Sequence, residues 1–383
     1  MLNLGQTTAK LARHRRQWEK FMSGAGGGAT EMPGMAAAGR RLAEVTGFGA
    51  NPGNLRMFAH VPAKLQRAAP LVVVLHGCTQ TAAGYDHGTG WSTLADRFGF
   101  ALLLPEQKRQ NNPNNCFTWF EPGDTARGSG EAESIRQMID RMVADHGLDR
   151  DRVYVTGLSA GGAMASAMLA AYPEMFAGGA IVAGLPYGAA RSVAEAFDAM
   201  FQPRSRAPRA WGDLVRAASP HAGPWPKVSV WHGDADATVV PRNADETVKQ
   251  WLDVHGLDAV PSSERTAGTH THRVWRNAAG EEVVELHTVT GMAHGVAVHP
   301  GEGGERCGVA GPFILDVGIS STWRIAASWG LTDGVPEVEA APARPAAEPA
   351  AARDQHHGLG EKIQSVISRA LEAAGLMKPP RGP

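Results

Sequence analysis

Three short stretches of this 383-residue chain hold the residue types that acyl transfer requires. The first is Gly157-Leu-Ser159-Ala-Gly161, preceded by a strand-like run (153–156) and followed by a helix-like run (163–171). A serine on a sharp strand-to-helix turn is strained, with its hydroxyl presented outward, and flanking glycines remove the Cβ atoms that would collide there. The hydroxyl is a weak nucleophile at neutral pH. It needs a neighbouring base, itself oriented by a carboxylate. Where the serine sits on such a turn, those partners follow in the order Asp or Glu, then His.

The second stretch is His232-Gly-Asp234-Ala-Asp236-Ala-Thr-Val239, after the strand-like run 228–231. Two aspartates compete for one role. Asp236 stands at the end of the loop, just before Val239 and Pro241 lead into the next helix, and is preferred; Asp234 reads as a cap or brace of the turn. The third is Gly291-Met-Ala-His294-Gly295, after the strand-like run 283–289. A histidine between small residues on that loop can swing over the serine.

The chain has fifteen histidines, so rivals need weighing. His76 and His232 each precede a glycine at a strand end, where an imidazole braces the loop, and His299 is a further rival. His270 and His272 lie two apart in a strand-like run and share one sheet face. No third ligand stands at a suggestive spacing, so they read as solvated strand residues, and neither metal nor cofactor is expected.

Charge building on the carbonyl oxygen needs amide donors, each worth about 2.7–4 kcal/mol. The expected donors are the amide of Ala160, next after the nucleophile, and one from the loop leaving the third strand. His76-Gly77-Cys78 leaves the run 71–75 there, which nominates the Cys78 amide. Cys78 also reads as a nucleophile or as a disulfide partner of Cys116. A catalytic thiol would leave the serine, aspartate and histidine without purpose, and a bridge would fit an exported protein.

The elements that must position these residues alternate. Residues 71–75 (Leu-Val-Val-Val-Leu) form a continuous apolar run, as a strand buried on both faces should. Runs 100–104, 153–156, 180–182 and 228–231 are of the same kind. Between them Ile135, Met138, Ile139, Met142 and Val143 trace one helical stripe. Such alternation predicts an α/β fold, a mostly parallel central sheet with helices on both faces. Asn277-Ala-Ala-Gly280 predicts a hairpin between 272–276 and 282–289.

Composition sets the outer limits. Hydrophobic residues make up 43% and charged residues 20%, which excludes a wholly disordered chain. A net charge of −1 gives no global preference for nucleic acid or an anionic membrane. No run reaches the roughly 20 apolar residues of a transmembrane segment. Residues 9–22 read as a short basic helix on a Gly-rich tether, together 1–40. Gly24, Gly26 and Ala29 in that tether mimic a dinucleotide fingerprint, but no strand precedes them. The catalytic domain is expected at 41–331, an Ala/Pro-rich linker at 332–357 and a C-terminal amphipathic helix at 358–383. The first ten residues lack the pattern of an export signal, so the expected address is cytoplasmic with reduced cysteines; a different start would make it secreted.

In order along the chain, Leu75-His-Gly-Cys-Thr-Gln80, Leu104-Pro-Glu-Gln107, Asn115-Cys-Phe-Thr-Trp-Phe120, Gly157-Leu-Ser-Ala-Gly-Gly162, Trp231-His-Gly-Asp-Ala-Asp236 and Gly291-Met-Ala-His-Gly295 resemble the polyhydroxybutyrate (PHB) depolymerase family of esterases. That family also takes in feruloyl and acetylxylan esterases, and the likeness covers about residues 50–330. The resemblance implies an α/β-hydrolase fold, nucleophile Ser159, acid Asp236, base His294 and an oxyanion site involving Cys78. It places Trp119 and Phe120 near Cys116, with Trp119 the stronger candidate to line a crevice for polyester. The substrate expected is a polyester or a small ester. The two terminal helices either dock on a polyhydroxyalkanoate granule surface or pack on protein. A non-catalytic granule-coating protein is the reading of another class, disfavoured because it has no need of all three side chains.

Overall fold

The computed structural model describes residues 41–332. The expectations for residues 1–40 and 333–383, including both terminal helices, lie outside the described residues.

In chain order the elements are β1 (Ala43–Val45), β2 (Arg56–His60), β3 (Leu71–Leu75), α1 (Ala82–Thr89), α2 (Trp91–Phe98), β4 (Ala101–Glu106), α3 (Pro122–Thr125), α4 (Gly130–His146), β5 (Val153–Leu158), α5 (Ala160–Ala171), β6 (Gly178–Val182), α6 (Val193–Phe201), α7 (Pro208–Arg216), β7 (Lys227–Gly233), α8 (Arg242–His255), β8 (Ser263–Ala267), β9 (His270–Arg276), β10 (Glu282–Val289), β11 (Val296–Val298), β12 (Ile314–Asp316) and α9 (Ser321–Ser328). Ten strands form one sheet in the order β1-β2-β4-β3-β5-β6-β7-β10-β9-β8. The six central strands, β4 to β10 in that order, run parallel. The outer pairs are antiparallel. The expected hairpin joins β9 to β10, with Gly280 N–H donating to Asn277 O at 2.9 Å.

Burial on both faces explains the apolar runs. In β3, Leu71, Val73 and Leu75 enter one core with α4, α5 and α8, while Val72 and Val74 enter the other with α1, α2 and α9. Strand alternation thus divides one continuous run between two layers. Parallel register also aligns the strand ends: Leu75 pairs with Gly157, Leu158 with Val182, and Val182 with Trp231. The loops after β3, β5, β7 and β10 therefore leave one edge of the sheet, the edge where α/β sheets assemble their sites. No helix of the described residues is long and apolar enough to cross a membrane.

Candidate active site

Ser159 caps the junction of β5 and α5 with φ 57° and ψ −115°, a conformation costing roughly 1–3 kcal/mol for a residue with a side chain. Its amide donates to Val182 O at 2.9 Å, which holds the turn against β6. The glycines are sterically required. A Cβ on Gly157 would lie 2.4 Å from the Gly161 carbonyl, and one on Gly161 would lie 2.3 Å from Leu75 O.

Asp236 is buried in the loop after β7. Its Oδ1 accepts from the amides of Thr238 (2.8 Å) and Val239 (2.9 Å), and its Oδ2 accepts from His294 Nδ1 at 2.7 Å. Burial alone would raise the Asp236 pKa, but hydrogen bonds from His232 and His294 outweigh it and hold the carboxyl below the ordinary range. It is therefore ionised at neutral pH. With Nδ1–H committed to the aspartate, the neutral imidazole carries its lone pair on Nε2, as a general base requires.

Asp234 instead ties the β7 loop to the β10 loop, its Oδ1 accepting from Gly291 N–H at 2.6 Å. His76 braces as expected, Nδ1 on Gly77 O (2.8 Å) and Nε2 accepting from Gln107 N–H (3.1 Å). His232 does more than brace. Its Nε2 donates to Val239 O at 2.7 Å and lies 3.2 Å from Asp236 Oδ2, so it also fixes the carboxylate. The spacing His232-x-x-x-Asp236 is visible in the sequence, but without the loop's path it carries no such meaning. His299 sits on a bridge to Cys307, its carbonyl accepting from the Cys307 amide.

Ser159 opens onto a cleft of about 200 Å³. Trp119, Phe120, Leu185, Phe197, Met200 and Val239 give it apolar walls. Phe197 and Met200 belong to α6, which the sequence alone did not single out. Its apolar spacing Val193, Ala196, Phe197, Met200 was the available signal. Cys78 and Ala160 also line the cleft, and among the described residues no hydrogen bond within the protein uses either amide.

The expectation of reduced cysteines is corrected: Cys78 and Cys116 are joined by a disulfide, while Cys307 is free and buried. The bridge arises because the 112–116 loop folds back over the end of β3, with Thr79 N–H donating to Asn114 O at 2.6 Å. Buried Glu131 anchors the same loop, accepting from the Thr118 amide (2.9 Å) and from Gln107, whose Nε2 also reaches Cys116 O (3.1 Å).

Burial pushes the Glu131 pKa up to about 8. Between the ordinary carboxylate value and about 8, the folded chain keeps a proton that the unfolded chain has lost, so rising pH erodes stability across that window. Glu131→Gln should flatten this dependence. The fall in Tm between about pH 5.5 and about pH 8.5, measured by calorimetry, should be several degrees smaller in the variant; equal slopes would contradict the protonated carboxyl.

The reading of His270 and His272 as solvated is also corrected. His270 is buried and His272 partly so, because β10 lays Glu285 and His287 beside them.

Residues 56–275 match the family model described as esterase PHB depolymerase. The chain is 50% identical over 291 residues to poly(3-hydroxyalkanoate) depolymerase C of Paucimonas lemoignei, covering 76% of this chain and 70% of that one. It is 36% identical over 226 residues to feruloyl esterase B of Neurospora crassa, 57% of this chain and 76% of that one. Among solved structures, an acetyl xylan esterase from Aspergillus awamori superposes with a TM-score of 0.61 at 28% identity, covering 66% of this chain and 93% of that one. A strained serine at a sheet edge, a buried Asp–His couple and this extent of likeness lead to one conclusion: the chain is a carboxylic-ester hydrolase of the α/β-hydrolase superfamily and belongs to the PHB depolymerase esterase family.

Proposed function

We propose that the chain hydrolyses short-chain polyhydroxyalkanoate, poly-3-hydroxybutyrate or its oligomers, through an acyl-enzyme on Ser159. The observation carrying this is the 2.7 Å hydrogen bond between His294 Nδ1 and buried Asp236, on loops leaving the same sheet edge as the strained serine. Ser159 Oγ attacks the ester carbonyl while His294 Nε2 takes its proton. The amides of Cys78 and Ala160 donate to the oxyanion. His294 then protonates the departing hydroxyl, and a water activated the same way releases the acid. The identity to a depolymerase supports the polyester as substrate, and the apolar cleft suits its methyl-bearing chain.

The test is a panel of amorphous polyester granules, crystalline film, 3-hydroxybutyrate oligomers and methyl ferulate. Release of 3-hydroxybutyrate with little ferulate hydrolysis is expected; the reverse would move the chain to the sugar-ester branch, the second reading that its relatives support. Within the first reading Trp119 grips the chain. Trp119→Ala should raise KM for oligomers roughly ten-fold and leave kcat for a small acetyl ester within about two-fold. An unchanged KM would return this ring to a packing role.

Granule association rests on the sequence of residues 9–22 and 358–383 alone. Deleting both and comparing co-sedimentation with granules tests it, and unchanged binding rejects it. As to compartment, a disulfide persists in oxidising surroundings, so the Cys78–Cys116 bridge supports the export alternative over the cytoplasm.

A further inference from the structure

Away from the catalytic edge, the β9–β10 hairpin and β7 carry a second cluster of chemically capable side chains. Pairing of His287 with His272 across the hairpin, and with Trp231 of β7, puts all three rings on the sheet face covered by α9. Glu285, two residues before His287, shares that face. His272 Nε2 lies 2.7 Å and His287 Nε2 3.2 Å from the same oxygen, Glu285 Oε2. The three donor atoms fall within 4.8 Å of one another. We propose that His272, Glu285 and His287 form a binding site for a divalent transition-metal ion of the zinc class.

Two imidazoles and one carboxylate suit zinc and its neighbours rather than calcium or magnesium, which take all-oxygen cages. Metal–ligand distances near 2.0–2.2 Å separate tetrahedral donors by about 3.4 Å, so the present spacing needs only modest opening. The ring arrangement shows which side chain gives. His287 is clamped, stacked on Trp231 with centroids 3.8 Å apart and bonded through Nδ1 to His270 Nε2 at 3.0 Å. His272 stacks on the outer face of His287 at 4.0 Å, and its side chain is 30% exposed, so it can swivel to converge on the ion.

Both imidazoles are neutral ligands in this scheme. Each moves its proton from Nε2 to Nδ1, freeing the lone pair. His270 makes the matching shift, its proton passing from Nε2 to Nδ1, so that His287 Nδ1–H donates to His270 Nε2 at 3.0 Å, the kind of outer hydrogen bond that fixes a ligand's tautomer. The nearby cation, Arg324 of α9, is held by Glu305 at 3.0 Å. Glu285 also lines a cleft of about 160 Å³, open to solvent beside Lys227 and Glu282, which gives an ion its route in. Since β10 leads directly into the loop of His294, a bound ion would pin the hairpin behind the catalytic histidine without touching the reacting atoms.

The experiment uses the full chain, free of any affinity tag and stripped with chelator, then incubated with zinc sulfate and desalted. Wild type should retain about one equivalent more zinc than His272→Ala or His272→Gln, by elemental mass spectrometry, and zinc should raise its Tm by several degrees more than theirs. Equal zinc content, or an equal shift, would overturn the site. Should neither variant fold, zinc-soaked wild-type crystals decide: an anomalous peak among the three donors supports the proposal and its absence rejects it.

Discussion

Replacing Ser159 by alanine is expected to lower kcat/KM for ester hydrolysis by at least about 10⁴-fold and to abolish labelling by a fluorophosphonate probe. The size follows from what remains. Without Oγ there is no acyl-enzyme, and only the amides of Cys78 and Ala160 and the apolar cleft still favour reaction by water. The fold should survive, because Ser159 is held through its backbone: its amide meets Val182 O and its dihedrals are imposed by strand and helix. Alanine at the same positive φ carries comparable strain, so Tm should move by no more than a few degrees. Residual turnover within ten-fold of wild type, with labelling retained elsewhere, would remove Ser159 from the mechanism.

The same assay separates the two aspartates. Asp236→Asn should cost about 10³–10⁴-fold in kcat, since an amide facing Nδ1 favours the wrong imidazole tautomer. Asp234→Asn keeps an oxygen that can accept from Gly291 N–H, and should cost less than about ten-fold. Equal losses would mean that the link between the loops, rather than the carboxylate on His294, is what matters.

How far the sequence could be read depended on whether a feature was local. Ser159, Asp236 and His294 each sit in a loop after a strand-like run, mostly apolar in 153–156 and 228–231 and interrupted by Glu285, His287 and Thr288 in 283–289. Strands buried on both faces announce themselves as apolar runs, so the succession of central strands along the chain and the loops carrying the candidate site were legible together. Features made by pairing were not. Glu285 and His287 look like ordinary strand residues until the register sets them opposite Val274 and His272. The Cys78–Cys116 bridge spans 38 residues, and compartment argued against it, although the loop geometry that forms it owes nothing to compartment. Helix α6 had a readable apolar spacing, but only the folded chain shows that its stripe faces the serine rather than the main core.

The disulfide is where stability and chemistry meet. For Cys78→Ser/Cys116→Ser we expect a loss of about 4 kcal/mol from releasing a loop of this length in the unfolded chain, seen as a Tm drop of roughly 5–10 °C. A separate loss should appear in kcat. In the proposed mechanism Cys78 supplies one oxyanion amide, and the bridge is the covalent tie between that residue and the loop carrying Trp119. The loop also has non-covalent anchors, Gln107 Nε2 on Cys116 O and the Thr118 amide on Glu131, so it should loosen rather than detach. A fall in kcat of roughly ten-fold, short of the 10²–10³ for complete loss of a donor, is therefore expected at temperatures where the variant is still folded. Dithiothreitol on wild type should reproduce both effects, because both cysteines lie on the cleft wall within reach of a small thiol. A variant with unchanged kcat but lowered Tm would confine the bridge to stability; one with unchanged Tm would show that the 112–120 loop is held by Glu131 and Gln107 alone.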